Sequence, residues 1–227
     1  MAARKEKEEK TGKKPGGRPP QIPAPGGAQP EAEAQRNFTD SESRIMPDGA
    51  NKGCFLQGYN AQAAVDATAQ VIVAAEITRQ ANDSRQLLPM LEQVEANMGR
   101  KPGAVSADAG YWSEANATDE IVTGIDLHIA TGRIQHGENI ATASGPPPES
   151  ATPKQLMQHK LRTEAGQAVY RRRKVIVEPV FGQIKEQRGF RRFSLRGPEK
   201  VRAEWKLVCA AANLLKLFRY GGTPQTA

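Results

Sequence analysis

Cysteine and histidine are scarce in this 227-residue chain, and neither is spaced for chemistry. The two cysteines, Cys54 and Cys209, form no CxxC or Cys/His pattern, so the expectation is buried, reduced thiols. His128, His136 and His159 lack the spacing of metal ligands, which argues against a zinc site. No apolar run approaches the ~18 residues of a membrane span, and the N-terminus has no signal-peptide core. A cytoplasmic protein with no membrane partner is expected. No internal repeat is visible, and the length leaves room for one domain of ordinary size plus a tail.

What the chain does have is positive charge, concentrated in one place. The formal net charge is +7, which by itself suggests a polyanionic partner only weakly. Between Tyr170 and Tyr220, however, fourteen Lys/Arg face four Glu (Glu178, Glu186, Glu199, Glu204). That local excess is larger than the excess of the whole chain, as expected of a nucleic-acid binder.

Residues 1–36 read as a disordered linker rich in Lys, Glu, Pro and Gly, with almost nothing to bury. Gly17-Arg18-Pro19 could hook a narrow minor groove, but a single copy also suits a plain linker. The ordered domain is expected over residues 37–220, followed by a disordered tail at 221–227. Tyr59–Ala67 and Val71–Thr78 are β-branched or small-residue runs joined by a short polar link, which predicts an antiparallel hairpin. Asp83 or Ser84 can cap a helix carrying Leu87, Leu88, Leu91, Val94 and Met98, ended by Gly99-Arg-Lys-Pro-Gly103. A buried strand, Ala104–Ala107, leads to Asp108. Ser113 then caps a helix running to about Gly124, and Asp126–Ala130 is a further strand. The segment 132–153 reads as a loop insertion. Two long helical patterns follow, about Lys154–Gln187 with possible breaks and Glu199–Phe218. The second is apolar over so wide an arc that it reads as core, and Trp205 with it. This order predicts an α/β fold with helices flanking a mixed sheet.

Two carboxylates stand out. Asp108 ends a strand and precedes Ala-Gly, which would expose it at the sheet edge where α/β folds bind ligands. A turn or capping Asp is the plainer alternative. Glu178 lies on a helix whose face also carries Arg171, Lys174, Gly182 and Lys185, while Val177, Val180, Phe181 and Ile184 occupy the adjoining inward arc. It could ligate a metal between cations that hold phosphate, or simply pair with Lys174. Two acids on separate elements beside cations suit Mg²⁺-dependent phosphoryl transfer on a nucleic-acid backbone. In Lys185–Arg196 four arginines alternate with Phe190, Phe193 and Leu195. Arg188, Arg191 and Arg192 suit phosphate contact, while the aromatics either stack on bases or dock the loop onto the preceding helix.

The strings Val105-Ser-Ala-Asp-Ala-Gly-Tyr111 and Tyr170-(x3)-Lys174-(x3)-Glu178-(x6)-Lys185 resemble motifs of the acidic-catalyst (DDE) transposases of bacterial insertion sequences. The resemblance runs from about Asn37 to Tyr220. It implies an RNase-H-like α/β core in which Asp108 and Glu178 are two of three acids. Those acids hold two Mg²⁺ (or Mn²⁺) ions ~3.5–4 Å apart. It further implies DNA binding by Arg173, Lys174, Lys185, Arg188, Arg191 and Arg192, with Arg173 and Lys174 competing for one place in a Tyr-Arg-Glu-Lys signature. The Tyr-Asn-Ala-Gln and Asn-Asp segments would help to build the core and line the site. The family's first Asp normally lies upstream, where this chain carries its low-complexity tail, and the strand that would bear it is not recognisable. Asp66 or Asp40 could stand in as a makeshift third ligand.

The expected function is therefore the C-terminal portion of a nucleoid-associated transposase that cuts and joins DNA ends, inactive alone as a truncated copy. Its partners would be transposon-end and target DNA, and another copy or an intact transposase. Two rivals share the charge: a non-catalytic DNA-binding fragment that inhibits intact transposase, and a basic RNA- or ribosome-associated protein, which gives no reason for the paired acids.

Overall fold

The computed structural model describes residues 37–48, 51, 53–132 and 142–220, all within a unit that begins at Asn37. The linker at 1–36, residues 133–141 of the expected insertion, and the tail at 221–227 lie outside the described residues. Strands β1 (Arg44–Pro47) and β2 (Phe55–Gly58) pair antiparallel, a hairpin the sequence reading did not anticipate. Strands β3 (Asn60–Val65) and β4 (Ile72–Thr78) form the expected antiparallel hairpin. Helix α1 (Leu87–Met98) buries Leu87, Met90, Leu91 and Val94 and ends on Gly99 in the left-handed region, φ 69°. Strands β5 (Ala104–Ala107) and β6 (Asp126–Ile129) pair in parallel.

Alternation on β4 divides the core. Ala75 and Ile77 face Val180, Ile184, Val201 and Trp205, while Ala74 faces Met90 and Val94 of α1. The hairpin is thus sandwiched between α1 on one face and the late helices on the other. A second cluster joins α1 to the parallel pair through Leu91, Leu127, Ile129 and Met157.

Between β5 and β6 the expected long helix is two short pieces. Ser113 does cap, accepting the Asn116 N–H at 3.0 Å, but α2 spans only Glu114–Thr118. Asp119 then accepts the Ile121 N–H and starts a 3-10 turn, Glu120–Val122, which breaks the run. The late helices are α3 (Pro153–Arg162), α4 (Glu164–Gly182) with a π turn at Gln183–Gln187, and α5 (Pro198–Tyr220).

Three expectations need correction. The strands do not form one mixed sheet: among the described residues there are three two-stranded sheets. Side chains, not a backbone ladder, connect β3 to the end of β5. Helix α5 is core on one stripe only. Val201, Trp205, Cys209 and Ala212 are buried, but Leu207, Leu214 and Phe218 are 71%, 68% and 80% exposed. Among the described residues, partners cover one side of the helix and leave its second apolar stripe exposed. Finally, Cys209 is buried as expected but Cys54, next to the exposed start of β2, is exposed, and both thiols are free. No helix among the described residues is long and apolar enough to cross a membrane.

Candidate catalytic site and basic surface

Asp108 satisfies both readings of the sequence at once. It stands at the end of β5, exposed, and its Oδ1 accepts the Gly110 N–H at 3.0 Å, capping the 3-10 turn Ala109–Tyr111. Tyr111 then swings its ring towards β3 and donates its hydroxyl to Gln62 Oε1. Burial, then the carboxylates of Asp83 and Asp108, push the Tyr111 phenol far above its ordinary pKa, so it stays a donor.

Asp83 was expected as a helix cap and is not one. Helix α1 begins later, after Gln86, with no side-chain cap. The Asp83 carboxylate instead accepts from Asn60 Nδ2 at 2.6 Å and Gln62 Nε2 at 2.7 Å. Its other oxygen lies 3.1 Å from the point where a Gly110 Cβ would stand, and Asp108 Oδ1 lies 3.1 Å from the same point. The two carboxylates therefore flank Gly110. The Tyr59-Asn-Ala-Gln62 and Asn82-Asp83 segments come together beside Asp108, a proximity no local pattern reveals because 21 residues separate Gln62 from Asp83 and 49 separate Gln62 from Tyr111.

Glu178 is exposed on α4, and α4 touches both β5 and β6, so the helix that carries the second acid contacts the strand that leads to the first. Val180 and Ile184 are fully buried, as the inward arc requires. The next residue, Pro179, has no N–H to give the Val175 carbonyl. Gln70 Nε2, from the β3–β4 turn, takes that carbonyl at 2.8 Å and ties the helix down one turn before Glu178. Among the described residues no ion pair joins Glu178 to Lys174 and no hydrogen bond joins it to Asp108. The face expected to continue to Lys185 is interrupted, because the π turn changes the helical repeat after Gly182. Lys185 instead lies over the Phe181 ring, 5.7 Å from its centre.

The other acids are engaged elsewhere. Asp66 accepts the N–H groups of Thr68 and Ala69 in the hairpin turn, at 2.9 and 2.7 Å. Asp40 accepts the Tyr59 hydroxyl and the Gly197 N–H. His128 is buried with its ring against the Asp126 carbonyl, and burial, then Lys160, holds it below the usual imidazole range.

The competing cations have different surroundings. The Arg173 guanidinium lies 5.5 Å from the Tyr170 ring centre with its Nε buried, whereas Lys174 is exposed. Arg191 pairs with Glu186 at the surface, Arg192 is exposed and Arg188 is half-buried. Phe190 and Phe193 pack on each other at 5.5 Å and on Trp205 at 6.4 Å each. They anchor the loop to Trp205 of the following helix α5, on which Phe181 of the preceding helix also stacks at 6.0 Å. Glu204 completes the anchor by accepting the N–H groups of Ser194 and Leu195.

Carboxylate oxygens such as those of Asp108 and Glu178 are the donors a hard divalent cation prefers. Among the described residues, however, no three His, Cys, Asp or Glu side chains converge as a cation site. Residues 22–214, most of the chain, match the family described as the transposase DDE domain. No curated protein and no solved structure matches it.

Proposed function

The chain belongs to the transposase DDE domain family, and from that premise we propose that it is the DNA-engaging part of an RNase-H-like transposase core. Transposition and a DNA partner come with the family, as does the use of a divalent metal. Asp108 and Glu178 are the residues we assign to Mg²⁺ or Mn²⁺, as two members of a larger acid set. Arg173 or Lys174, together with Lys185, Arg188, Arg191 and Arg192, are assigned to DNA phosphates. The observation that carries this reading is Asp108 at the end of β5 with the Glu178 helix in contact with the same parallel pair.

Each side chain has one task in this reading. Asp108 presents its carboxylate from a fixed turn at the strand end. Glu178 presents a second carboxylate from a helix held by Gln70. The cations of the 185–192 segment bind the phosphate backbone, attracted by charge and not by base sequence. When bound, a metal pair would supply activation of the attacking oxygen and stabilisation of the leaving one. With no third acid converging among the described residues, the chain alone is assigned DNA binding without strand cutting.

Titration of Mn²⁺ into the whole chain, read by the electron paramagnetic resonance of the free ion, tests the acid assignment. Weak binding that disappears in both Asp108→Asn and Glu178→Gln is expected. Equal binding by both variants would remove these residues from the site and leave a DNA-binding fragment with no catalytic ancestry in its acids.

A further inference from the structure

We propose that Asp83, Gln62 and Tyr111 are positioning residues that hold the Asp108 turn in place, an inference that rests on reading Asp108 as a site residue. The direction of every hydrogen bond follows from one charge. An ionised carboxylate only accepts, so Asp83 Oδ1 must receive the amide N–H groups of both Asn60, at 2.6 Å, and Gln62, at 2.7 Å. With its Nε2 committed there and to Asn60 Oδ1 at 3.0 Å, Gln62 turns its Oε1 to Tyr111. Tyr111 must then donate. Gln62 is buried, and its own carbonyl is held by Trp205 Nε1 at 2.8 Å, so the relay is anchored in the core.

Tyr111 closes the 3-10 turn that Asp108 opens, so fixing its ring fixes the turn. A second tie joins the same two segments from the other side. The buried Asn116 amide donates to the Ser84 carbonyl at 2.6 Å and the Tyr111 carbonyl at 2.8 Å. The Asp83 turn and the Asp108 turn are thereby locked to each other by two separate side-chain bridges. Gly110 lies between the two carboxylates, where any Cβ would crowd both. Asp83 Oδ1 is engaged by two donors, the Asn60 and Gln62 amides. The network holds Asp108 Oδ1 on the Gly110 N–H and keeps the rest of that carboxylate facing solvent.

The Gly110 amide is the natural reporter, because its proton is bonded to Asp108 Oδ1. In the full chain its hydrogen exchange should rise in Asp108→Ala, which removes the acceptor. Tyr111→Phe, which removes only the hydroxyl, and Gln62→Leu should each raise hydrogen exchange at Gly110 at least about fivefold. Both should leave the amides of α5 as in the wild type. The swapped pair Gln62→Glu with Asp83→Asn keeps an acceptor for Tyr111 and a donor for position 62, and should restore the reporter. A purely structural contribution would not be rescued by moving the charge. Should Gln62→Leu fail to fold, Tyr111→Phe still decides: wild-type exchange at Gly110 in that variant overturns the proposal. Added Mn²⁺ separates the two readings. Broadening of Gly110 that is unchanged in Asp108→Asn overturns the metal-ligand reading alone, whereas unchanged exchange in Tyr111→Phe overturns the positioning proposal alone.

Discussion

Asp40, one of the acids that could have stood in as a third ligand, is committed to joining distant parts of the chain. Its carboxylate accepts the Tyr59 hydroxyl at 3.0 and 2.9 Å and the N–H groups of Gly197 and Glu42, each at 3.2 Å. Burial alone would raise its pKa, but the Gly197 N–H and the Tyr59 hydroxyl outweigh it and hold the carboxyl below the ordinary value. The same burial, reinforced by Asp40, pushes Tyr59 up to about 12. A carboxyl whose folded pKa is depressed adds stability that is present above its unfolded value, about 3.9, and is lost as pH falls through the folded value. Asp40→Asn should therefore cost about 1–3 kcal/mol at pH 7. Urea unfolding across pH should show the gap between wild type and variant narrowing as pH falls below about 3.9. A gap that persists undiminished in acid would mean the side chain acts by shape and not by charge.

At the scale of elements, the joint between α3 and α4 depends on one atom that is not there. A Cβ on Gly166 would stand inside the van der Waals contact of the Lys160 carbonyl, which is backbone and cannot step aside. Gly166→Ala should destabilise the fold by about 2 kcal/mol or more, even though alanine is the better helix former. Helix α5 offers a paired test of its two stripes. Trp205 is 2% exposed among Phe181, Phe190 and Phe193, so Trp205→Ala should cost about 3–5 kcal/mol. Leu214→Ala, on the uncovered stripe, should stay within about 0.5 kcal/mol. Chemical denaturation of both variants checks the division. Comparable losses would show that the second stripe is covered in solution.

For the whole molecule the expectation is sequence-tolerant DNA binding without cutting. With Lys185, Arg188, Arg191 and Arg192 on phosphates, log K should fall with log[salt] at a slope of about −3 to −4 on duplex DNA. Arg191→Ala combined with Arg192→Ala should make that slope shallower by about two. The surface pair between Arg191 and Glu186 adds a sharper check, since Glu186→Gln frees Arg191 and should tighten binding. An unchanged slope in the double variant would reduce the loop to a packing element. The purified chain should not nick supercoiled DNA with Mg²⁺ or Mn²⁺. Nicking abolished by Asp66→Asn would instead make that turn residue a working acid.

Local patterns determined a good deal. Periodicity placed the β3–β4 hairpin, the buried stripe of α1 and the parallel strands, because each depends on neighbours within a few residues. The strand-end position of Asp108 and the helix position of Glu178 were legible for the same reason. The breaks were harder to read. Asp119 starting a new turn and the π turn after Gly182 are outcomes of hydrogen bonding that competes with an otherwise continuous helical pattern. Tertiary structure alone decided which apolar stripe of α5 is covered, since both look alike in sequence and only contact with the hairpin distinguishes them. It also decided the role of Asp83. By position that residue is an adequate helix cap; it becomes the hub of a network beside Asp108 because β3 and the Asp108 turn, distant in the chain, bring Asn60, Gln62 and Tyr111 to the same few ångströms.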